Sequence, residues 1–269
     1  MRRRLDTELV RRGMVESRAR AQQAIGAGRV LVSGALADRA SRLVDASEPI
    51  HLSGPPPPFV SRGGDKLDAA LERFGVDVAG RRALDAGAST GGFTDCLLQR
   101  GAAQVVAVDV GRGQLDWSLR TDPRVVILEQ TNVRNLVPGD IGGPVEVAVA
   151  DLSFISLRVV APALAGVLAP VGTENPEAVL LIKPQFEAGR QDVGRGGIVS
   201  DPAVHRRVLT SVSDSLASAG LIMVAVMASP LRGASGNVEF LGHFRPAAAG
   251  PHPAGPDDVD AAVAEGLTR

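Results

Sequence analysis

Seven short apolar runs alternate with helical stretches between Val60 and Phe244. Short runs dominated by Val, Leu, Ile and Ala are typical of buried strands, and the segments between them repeat apolar residues at helical spacing. The runs occupy residues 82–85, 105–109, 125–128, 146–150, 179–182, 222–227 and 238–244. Because strands that alternate with helices form a sheet covered on both faces, the pattern predicts a doubly wound, Rossmann-like α/β domain.

The segment before this domain follows a different pattern. Two apolar stripes at helical spacing predict two short helices within residues 5–27, the second with Ser17 as its N-cap. Residues 30–37 predict a β-hairpin with its turn at Ser33 and Gly34. The segment therefore predicts a small α+β module that precedes the larger domain.

Proline content marks the domain boundaries. Four prolines follow Gly54 and form a stiff spacer, so the first domain with its linker is predicted to span residues 1–58 and the second residues 59–246. Residues 247–269 are rich in Pro, Ala and Gly. They are predicted to form a loosely packed C-terminal extension with one short helix at 257–265.

Charge is distributed unevenly along the chain. Residues 1–62 carry 11 arginines, no lysine and 6 acidic residues, a net charge of +5 (11 − 6), whereas the whole chain is −1. Arginine forms bidentate contacts with phosphate and stacks on bases, so this composition favours RNA binding over a merely solvated surface. The candidate RNA-binding residues are Arg4, Arg11, Arg12, Arg18, Arg20 and Arg29.

Composition also argues against several classes of protein. The chain contains no apolar run of transmembrane length, and its basic start leads into an amphipathic segment and not into a signal peptide. The single Cys96 cannot form an intramolecular disulfide, and the 4 histidines lack metal-ligand spacing. We therefore expect a cytoplasmic protein without a metal site and without a membrane partner; the oligomeric state stays open.

A glycine-rich turn lies between the strand that begins at Arg82 and the helix that follows. In a parallel sheet such a turn opens at the carboxyl end of its strand, where ligands bind. The spacing Gly87, Gly91, Gly92 differs from the dinucleotide pattern, and Asp85 precedes it. These features favour S-adenosylmethionine, while an ordinary structural turn remains the alternative. Asp109 ends the next strand, where a carboxylate can accept hydrogen bonds from a ribose.

Four charged residues are predicted to converge above this turn. Asp151 and Lys183 end apolar strands, Glu239 points away from the apolar face of its strand, and Lys66 is predicted in the first turn of a helix capped by Asp65. Each alone could be a surface or ion-pair residue. Together they suit methyl transfer to an alcohol, which needs a base to remove the hydroxyl proton and groups that align the oxygen.

In order and context these four residues match the K-D-K-E tetrad of the FtsJ-like ribose 2′-O-methyltransferases. The surrounding phrases resemble the TlyA family, long labelled hemolysins. Residues 4–13 and 17–25 resemble a small α-L RNA-binding domain of a ribosomal protein. The phrases occupy residues 60–67, 85–94, 109–115, 151–157, 183–187 and 236–239.

The resemblance implies 2′-O-methylation of cytidine in ribosomal RNA, with the RNA or assembled ribosomal subunits as partner. It implies a catalytic tetrad in which Lys183 is the base. The resemblance also implies the residues that bind the cofactor. Gly87, Ser89, Gly91 and Gly92 would line its methionine end, Asp109 would bind its ribose and Asn132 would face its adenine. Asp85 and Asp151 are further implied cofactor residues. The chain departs from the family at Phe59, where members often carry Trp.

Three other interpretations remain open from the sequence. An RNA-binding assembly factor without enzymatic activity would keep the pocket and the basic module. A membrane-active hemolysin would match the old label but lacks an apolar span. A methyltransferase acting on a base or a protein would more often show an Asn/Asp-Pro-Pro-aromatic motif or a catalytic cysteine, whereas Leu152 follows Asp151 here.

Overall fold

A computed structural model describes residues 2–15, 17–55, 57–170, 175–233 and 235–268 of the chain. The chain divides into two compact units, one ending at Pro58 and the other starting at Phe59. In the described residues no helix is both long enough and apolar enough to cross a membrane.

The first unit packs two helices against short antiparallel strands. Its elements are β1 (Arg3–Arg4), α1 (Leu5–Arg11), α2 (Arg18–Gly26), β2 (Val30–Val32), β3 (Ala35–Leu36), β4 (Leu43–Val44) and β5 (Ile50–Leu52). The strands pair as β1-β4 and β3-β2-β5. Ser17 caps α2 by accepting a hydrogen bond from the Arg20 amide. Ser33 and Gly34 form the β2–β3 turn with φ values of 53° and 80°, as a tight hairpin requires.

The second unit is a seven-stranded sheet in the order β11-β12-β10-β9-β6-β7-β8. All seven predicted strands are present, and within this sheet β12 alone runs opposite to the other six strands. The strands are β6 (Arg82–Ala86), β7 (Gln104–Val108), β8 (Val125–Leu128), β9 (Val147–Ala150), β10 (Glu177–Ile182), β11 (Leu221–Ala228) and β12 (Phe240–Pro246). The helices are α3 (Arg62–Phe74), α4 (Gly92–Gln99), α5 (Trp117–Arg120), α6 (Leu157–Val167), α7 (Pro184–Glu187), α8 (Pro202–Ser218) and α9 (Pro256–Leu267).

Each face of this sheet has its own apolar core. Successive strand residues point to opposite faces, so Leu84 packs in the cluster that includes α6 and α8, and Ala83 in the cluster with α3 and α4. Both residues are fully buried. The sheet is thus covered on both sides, which confirms the predicted α/β fold and leaves its carboxyl edge to the connecting loops.

The C-terminal extension is packed, contrary to the prediction that it would be loose. Val259, Ala262 and Val263 of α9 are buried against the core that includes α8 and β11. Glu265 accepts hydrogen bonds from the Ala228 amide at 3.2 Å and from Arg73 at 2.9 Å. The prediction was wrong because it weighed the Pro, Ala and Gly content of the segment and overlooked a narrow apolar stripe.

The start of α3 also differs from its prediction. Ser61 is the N-cap and the helix begins at Arg62, so Asp65 lies within the first turn and does not cap the helix. Lys66 therefore lies in the second turn, where it is almost completely buried.

Candidate active site

A cleft of about 470 Å³ opens at the carboxyl edge of the sheet, among the loops that follow β6, β7, β8 and β9. Five of the predicted cofactor residues line it. They are Gly87, Ser89, Asp109, Asn132 and Asp151. Gly92 lines a smaller adjoining recess together with Ser61 and Asp151. Asp85 and Gly91 are buried below this surface.

The glycine turn packs closely against two other segments of the chain, the loop after β9 and helix α5. Gly87 has a φ of 87°, and a Cβ atom there would lie 2.6 Å from the backbone oxygen of Asp151. Gly91 has a φ of 97°, and a Cβ atom there would lie 2.2 Å from a methyl group of Leu119. Only glycine fits both positions, because a side chain would meet both steric overlap and an unfavourable backbone conformation.

Asp109 ties the glycine turn to the loop after β7. Its Oδ2 accepts a hydrogen bond from the Ser89 amide at 2.8 Å, and its Oδ1 accepts one from the Gly111 amide at 2.6 Å. Carboxylate oxygens can each accept more than one hydrogen bond, so Asp109 still has acceptor capacity toward the cleft.

Asp85 is a buried carboxyl below the turn. Its Oδ2 accepts a hydrogen bond from the Thr94 hydroxyl at 2.7 Å, and its Oδ1 has no partner among the residues that the structure describes. Burial raises the pKa of Asp85 to about 7; the hydrogen bond from Thr94 opposes this rise, and the neighbouring Asp151 adds to it. The group can therefore exchange a proton near neutral pH.

The four residues of the predicted tetrad form two ion pairs. Lys183 Nζ lies 2.5 Å from Asp151 Oδ1 and donates a hydrogen bond to the Ser153 hydroxyl at 3.1 Å. Lys66 Nζ lies 2.5 Å from Glu239 Oε2. The side chains of Lys66 and Glu239 are 9% and 3% exposed, whereas Asp151 is 27% exposed and lines the cleft.

Local sequence explains how these side chains are placed. Lys183 is the N-cap residue between β10 and α7, with Pro184 at the first helical position, so its side chain leaves the sheet at the carboxyl edge. Glu239 immediately precedes β12, between the buried Val238 and Phe240. A Cβ atom at Gly233 would lie 2.4 Å from Glu239 Oε1, so this glycine makes room for the carboxylate.

The sequence did not single out several neighbours of Lys183. Ser153 contacts its amine, and the Phe186 ring lies 5.8 Å below that amine. Phe186 also packs against Phe154, which is 92% exposed and has a φ of 63°, unusual for a bulky residue. These residues lie within the family-like phrases 151–157 and 183–187. Their place in those phrases, next to Asp151 and Lys183, is the one sequence feature that could have pointed to them.

The predicted RNA-binding arginines surround two buried carboxylates in the first unit. Arg4 and Arg18 donate hydrogen bonds to Asp6 at 2.9 and 3.0 Å, and Arg11 and Arg12 pair with Glu8. The guanidinium of Arg4 holds the pKa of the Asp6 carboxyl well below its usual range.

Glu8 is held in the same way, because hydrogen bonds from Arg11 and then Arg12 lower its pKa to about 2. Arg12 also donates to three backbone carbonyls, and Arg29 donates to those of Ser53 and Gly54. Arg20 donates to Gln23 at 3.4 Å. Arg12 and Arg29 therefore stabilise the unit, whatever else they contact.

In the part of the chain that the structure describes, no group of three or more His, Cys, Asp or Glu residues is arranged to hold a metal ion. Cys96 is buried, and burial raises its pKa to about 12, so its thiol stays protonated at neutral pH. It therefore lacks the properties of a catalytic cysteine.

The chain is similar to known proteins over most of its length. Residues 59–245 match the FtsJ-like methyltransferase family, and residues 3–50 match the S4 domain. The 16S/23S rRNA (cytidine-2′-O)-methyltransferase TlyA of Mycobacterium tuberculosis is 52% identical over 238 residues, which cover 88% of this chain and 87% of that protein.

Solved structures agree with this similarity. A protein from Streptococcus thermophilus, named as a candidate hemolysin, shares a TM-score of 0.79 and 38% identity over 99% of this chain and 96% of that chain. An S-adenosylmethionine-dependent methyltransferase of Listeria monocytogenes shares a TM-score of 0.51 at 16% identity over 69% of this chain and 98% of that chain, which shows a common fold alone. The chain, which joins an S4 domain to an FtsJ-like methyltransferase domain, belongs to the TlyA family.

Proposed function

We propose that this protein transfers a methyl group from S-adenosylmethionine to the 2′-hydroxyl of a ribose, that of a cytidine in ribosomal RNA. The observation that carries the proposal is the Lys183–Asp151 ion pair at the border of the cleft. The cytidine and the ribosomal RNA are proposed from the similarity to the M. tuberculosis protein, whose name states both.

The cleft suits the proposed cofactor. Its volume lies within the range of small-molecule sites, and the bare backbone at Gly87 allows a ligand to approach closely. We assign Gly87 and Ser89 to the methionine end, Asp109 to the ribose hydroxyls and Asn132 to the adenine. Gly91 and Asp85 support the turn from below. When bound, the cofactor supplies a methyl group on a positively charged sulfur.

Lys183 is the proposed base. Its amine is held by Asp151 and Ser153 and can take the proton of a hydroxyl, once it has passed its own proton to Asp151 or to solvent. Lys66, fixed by Glu239, supplies N–H donors that position the ribose oxygen. Alignment of this kind can contribute about 7–11 kcal/mol to lowering a reaction barrier.

The use of lysine in this chain supports that assignment. Of the 29 basic residues only Lys66 and Lys183 are lysines, so the other 27 are arginines. Arginine stays protonated in proteins and cannot act as a base at neutral pH, whereas the pKa of a lysine responds to its surroundings. Lysine therefore occurs only at the two positions where the proposed chemistry uses an amine.

The RNA is proposed to contact both units. The arginines around Asp6 and Glu8 present guanidinium groups that suit phosphates. Near Lys183, the exposed ring of Phe154 offers a surface on which an unpaired base can stack. We propose ribosomal RNA, free or in assembled ribosomal subunits, as the partner.

The experiment combines the purified protein with S-adenosylmethionine carrying a labelled methyl group and with unmethylated ribosomal RNA or subunits. A methyl on the 2′-oxygen blocks alkaline cleavage of the adjacent phosphodiester, because that oxygen is the attacking group. We expect label in an alkali-resistant dinucleotide that contains cytidine. Label on a base, or RNA binding without transfer, would contradict the proposal and favour a base methyltransferase or an assembly factor.

A further inference from the structure

A buried carboxylate outside the tetrad connects the two segments that carry Asp151 and Lys183. Glu187 is the last residue of α7, and its side chain is 3% exposed. Its Oε1 accepts a hydrogen bond from the Leu157 amide at 2.7 Å, and its Oε2 accepts one from the Ser156 hydroxyl at 2.5 Å. Arg158 lies 3.4 Å from the same carboxylate and donates to the Glu187 backbone oxygen at 3.0 Å.

These contacts join the same pair of segments as the Lys183–Asp151 ion pair does. The loop from Asp151 to Ser156 leaves β9 and ends at the N-cap of α6, and residues 183–187 leave β10 and form α7. At one end Lys183 contacts Asp151 and Ser153. At the other end Glu187 holds Ser156 and Leu157. The loop is therefore fixed to the lysine segment at both ends.

The loop between these two connections contains a backbone conformation that needs support. Phe154 lies midway, with a φ of 63°. Bulky residues rarely adopt this conformation, and it costs on the order of 1–3 kcal/mol, so it persists only where the surroundings impose it. The hydrogen bonds of Glu187 supply such a restraint on the C-terminal side of Phe154.

We propose that Glu187 is a positioning residue, which holds the Asp151 loop against the Lys183 segment and so keeps the Lys183 amine in contact with Asp151 and Ser153. Removing its carboxylate leaves the Leu157 amide and the Ser156 hydroxyl without their acceptor, and it frees the loop to move relative to Lys183. The placement of the amine follows from the contacts above, and only its effect on the reaction rate rests on the proposed function.

The two lysines of the chain make the placement measurable without an activity assay. Protein grown with lysine labelled with carbon-13 at Cε gives two lysine side-chain signals, and the Lys66→Arg variant leaves only that of Lys183. In Glu187→Ala we expect the Lys183 signal to move or broaden and the Lys66 signal to stay. Glu187→Gln keeps an acceptor for Leu157 and should give an intermediate change, which also provides a variant if Glu187→Ala does not fold.

Glu177→Ala is the matched control. Glu177 begins β10, the strand that ends before Lys183, and it pairs with Arg81 at 3.1 Å and His243 at 3.4 Å at the opposite edge of the sheet. Its loss should lower the melting temperature without moving the Lys183 signal. An unchanged Lys183 signal in folded Glu187→Ala, or the same change in Glu177→Ala, would overturn the proposal.

Kinetics provide the second readout. If Glu187 positions Lys183, Glu187→Ala should lower kcat by about 10- to 100-fold, the usual effect of misplacing a reacting group by an ångström, with KM for S-adenosylmethionine nearly unchanged. Wild-type kcat in folded Glu187→Ala would count against the positioning role. Absence of methyl transfer by the wild-type protein would instead contradict the proposed function, while the lysine signals would still decide the role of Glu187.

Discussion

At the scale of single residues, Asp85 shows how the fold tolerates an unfavourable group beneath its ligand cleft. Its carboxyl is fully buried, accepts a hydrogen bond from the Thr94 hydroxyl and has a pKa of about 7 against an ordinary value of 3.8. Because the folded-state pKa is raised, the contribution of Asp85 to stability is complete below about pH 4 and is lost as the pH rises toward 7.

Replacing Asp85 with asparagine should remove this pH dependence, since an amide does not titrate and can still accept the hydrogen bond from Thr94. We expect Asp85→Asn to be more stable than the wild type at pH 8, by an amount that shrinks as the pH falls to 5. Each unit of pKa shift corresponds to about 1.4 kcal/mol, which sets the scale of the difference. Chemical denaturation of both proteins without ligand, at pH 5 and at pH 8, measures this difference in the free energy of unfolding. A constant difference between the proteins would contradict the assignment.

At the scale of elements, the sequence predicted what depends on local pattern. All seven strands were found because each is a short, largely apolar run between segments of helical pattern. The packing of α9 was missed because a stripe as narrow as Val259, Ala262 and Val263 becomes recognisable only when its partners, α8 and β11, are known. The ion pair between Lys66 and Glu239 joins residues that are 173 positions apart. The local sequence around either residue therefore could not predict that the two pair with each other.

Two substitutions on α9 test whether it belongs to the core. Val263 is 3% exposed and Leu267, one turn later, is 51% exposed. Val263→Asp places an unpaired charge in the apolar core and should lower the free energy of unfolding by roughly 2–4 kcal/mol. Leu267→Asp should change it by less than about 0.5 kcal/mol. Equal effects of the two substitutions in thermal denaturation would show that the helix is not packed in solution.

At the scale of the whole molecule, charge separates the two parts of the chain. The first 62 residues carry a net +5, and the remainder a net −6 (−1 − 5). The predicted RNA contacts lie in the positive part, where Asp6 and Glu8 organise the arginines. These two carboxylates were not among the predicted residues, because acidic side chains in a basic module look like ordinary surface charges until their burial is known.

The role of this module is tested by removing arginines without leaving a buried charge. Alanine at Arg4 and Arg18 alone would leave the buried Asp6 carboxylate without its two arginine partners, so we combine both changes with Asp6→Asn. The triple variant should bind RNA more weakly than the wild type. The slope of log affinity against log salt should become shallower by roughly 1.4 to 1.8, since two arginines are removed and each phosphate contact contributes about 0.7 to 0.9. Affinity for S-adenosylmethionine should not change. An unaltered salt slope would place the RNA contacts elsewhere.

The central claim is that Lys183 serves as the base for methyl transfer to a ribose hydroxyl. The most direct measurement is the single-turnover rate of labelled methyl transfer to ribosomal RNA by the wild type, Lys183→Ala and Lys183→Arg, with cofactor and RNA binding measured in parallel. The arginine variant keeps the positive charge beside Asp151 but cannot take up a proton. We expect both variants to bind nearly normally and to transfer the methyl group about 10²- to 10⁴-fold more slowly. Transfer by Lys183→Arg within a few-fold of the wild-type rate would contradict the account.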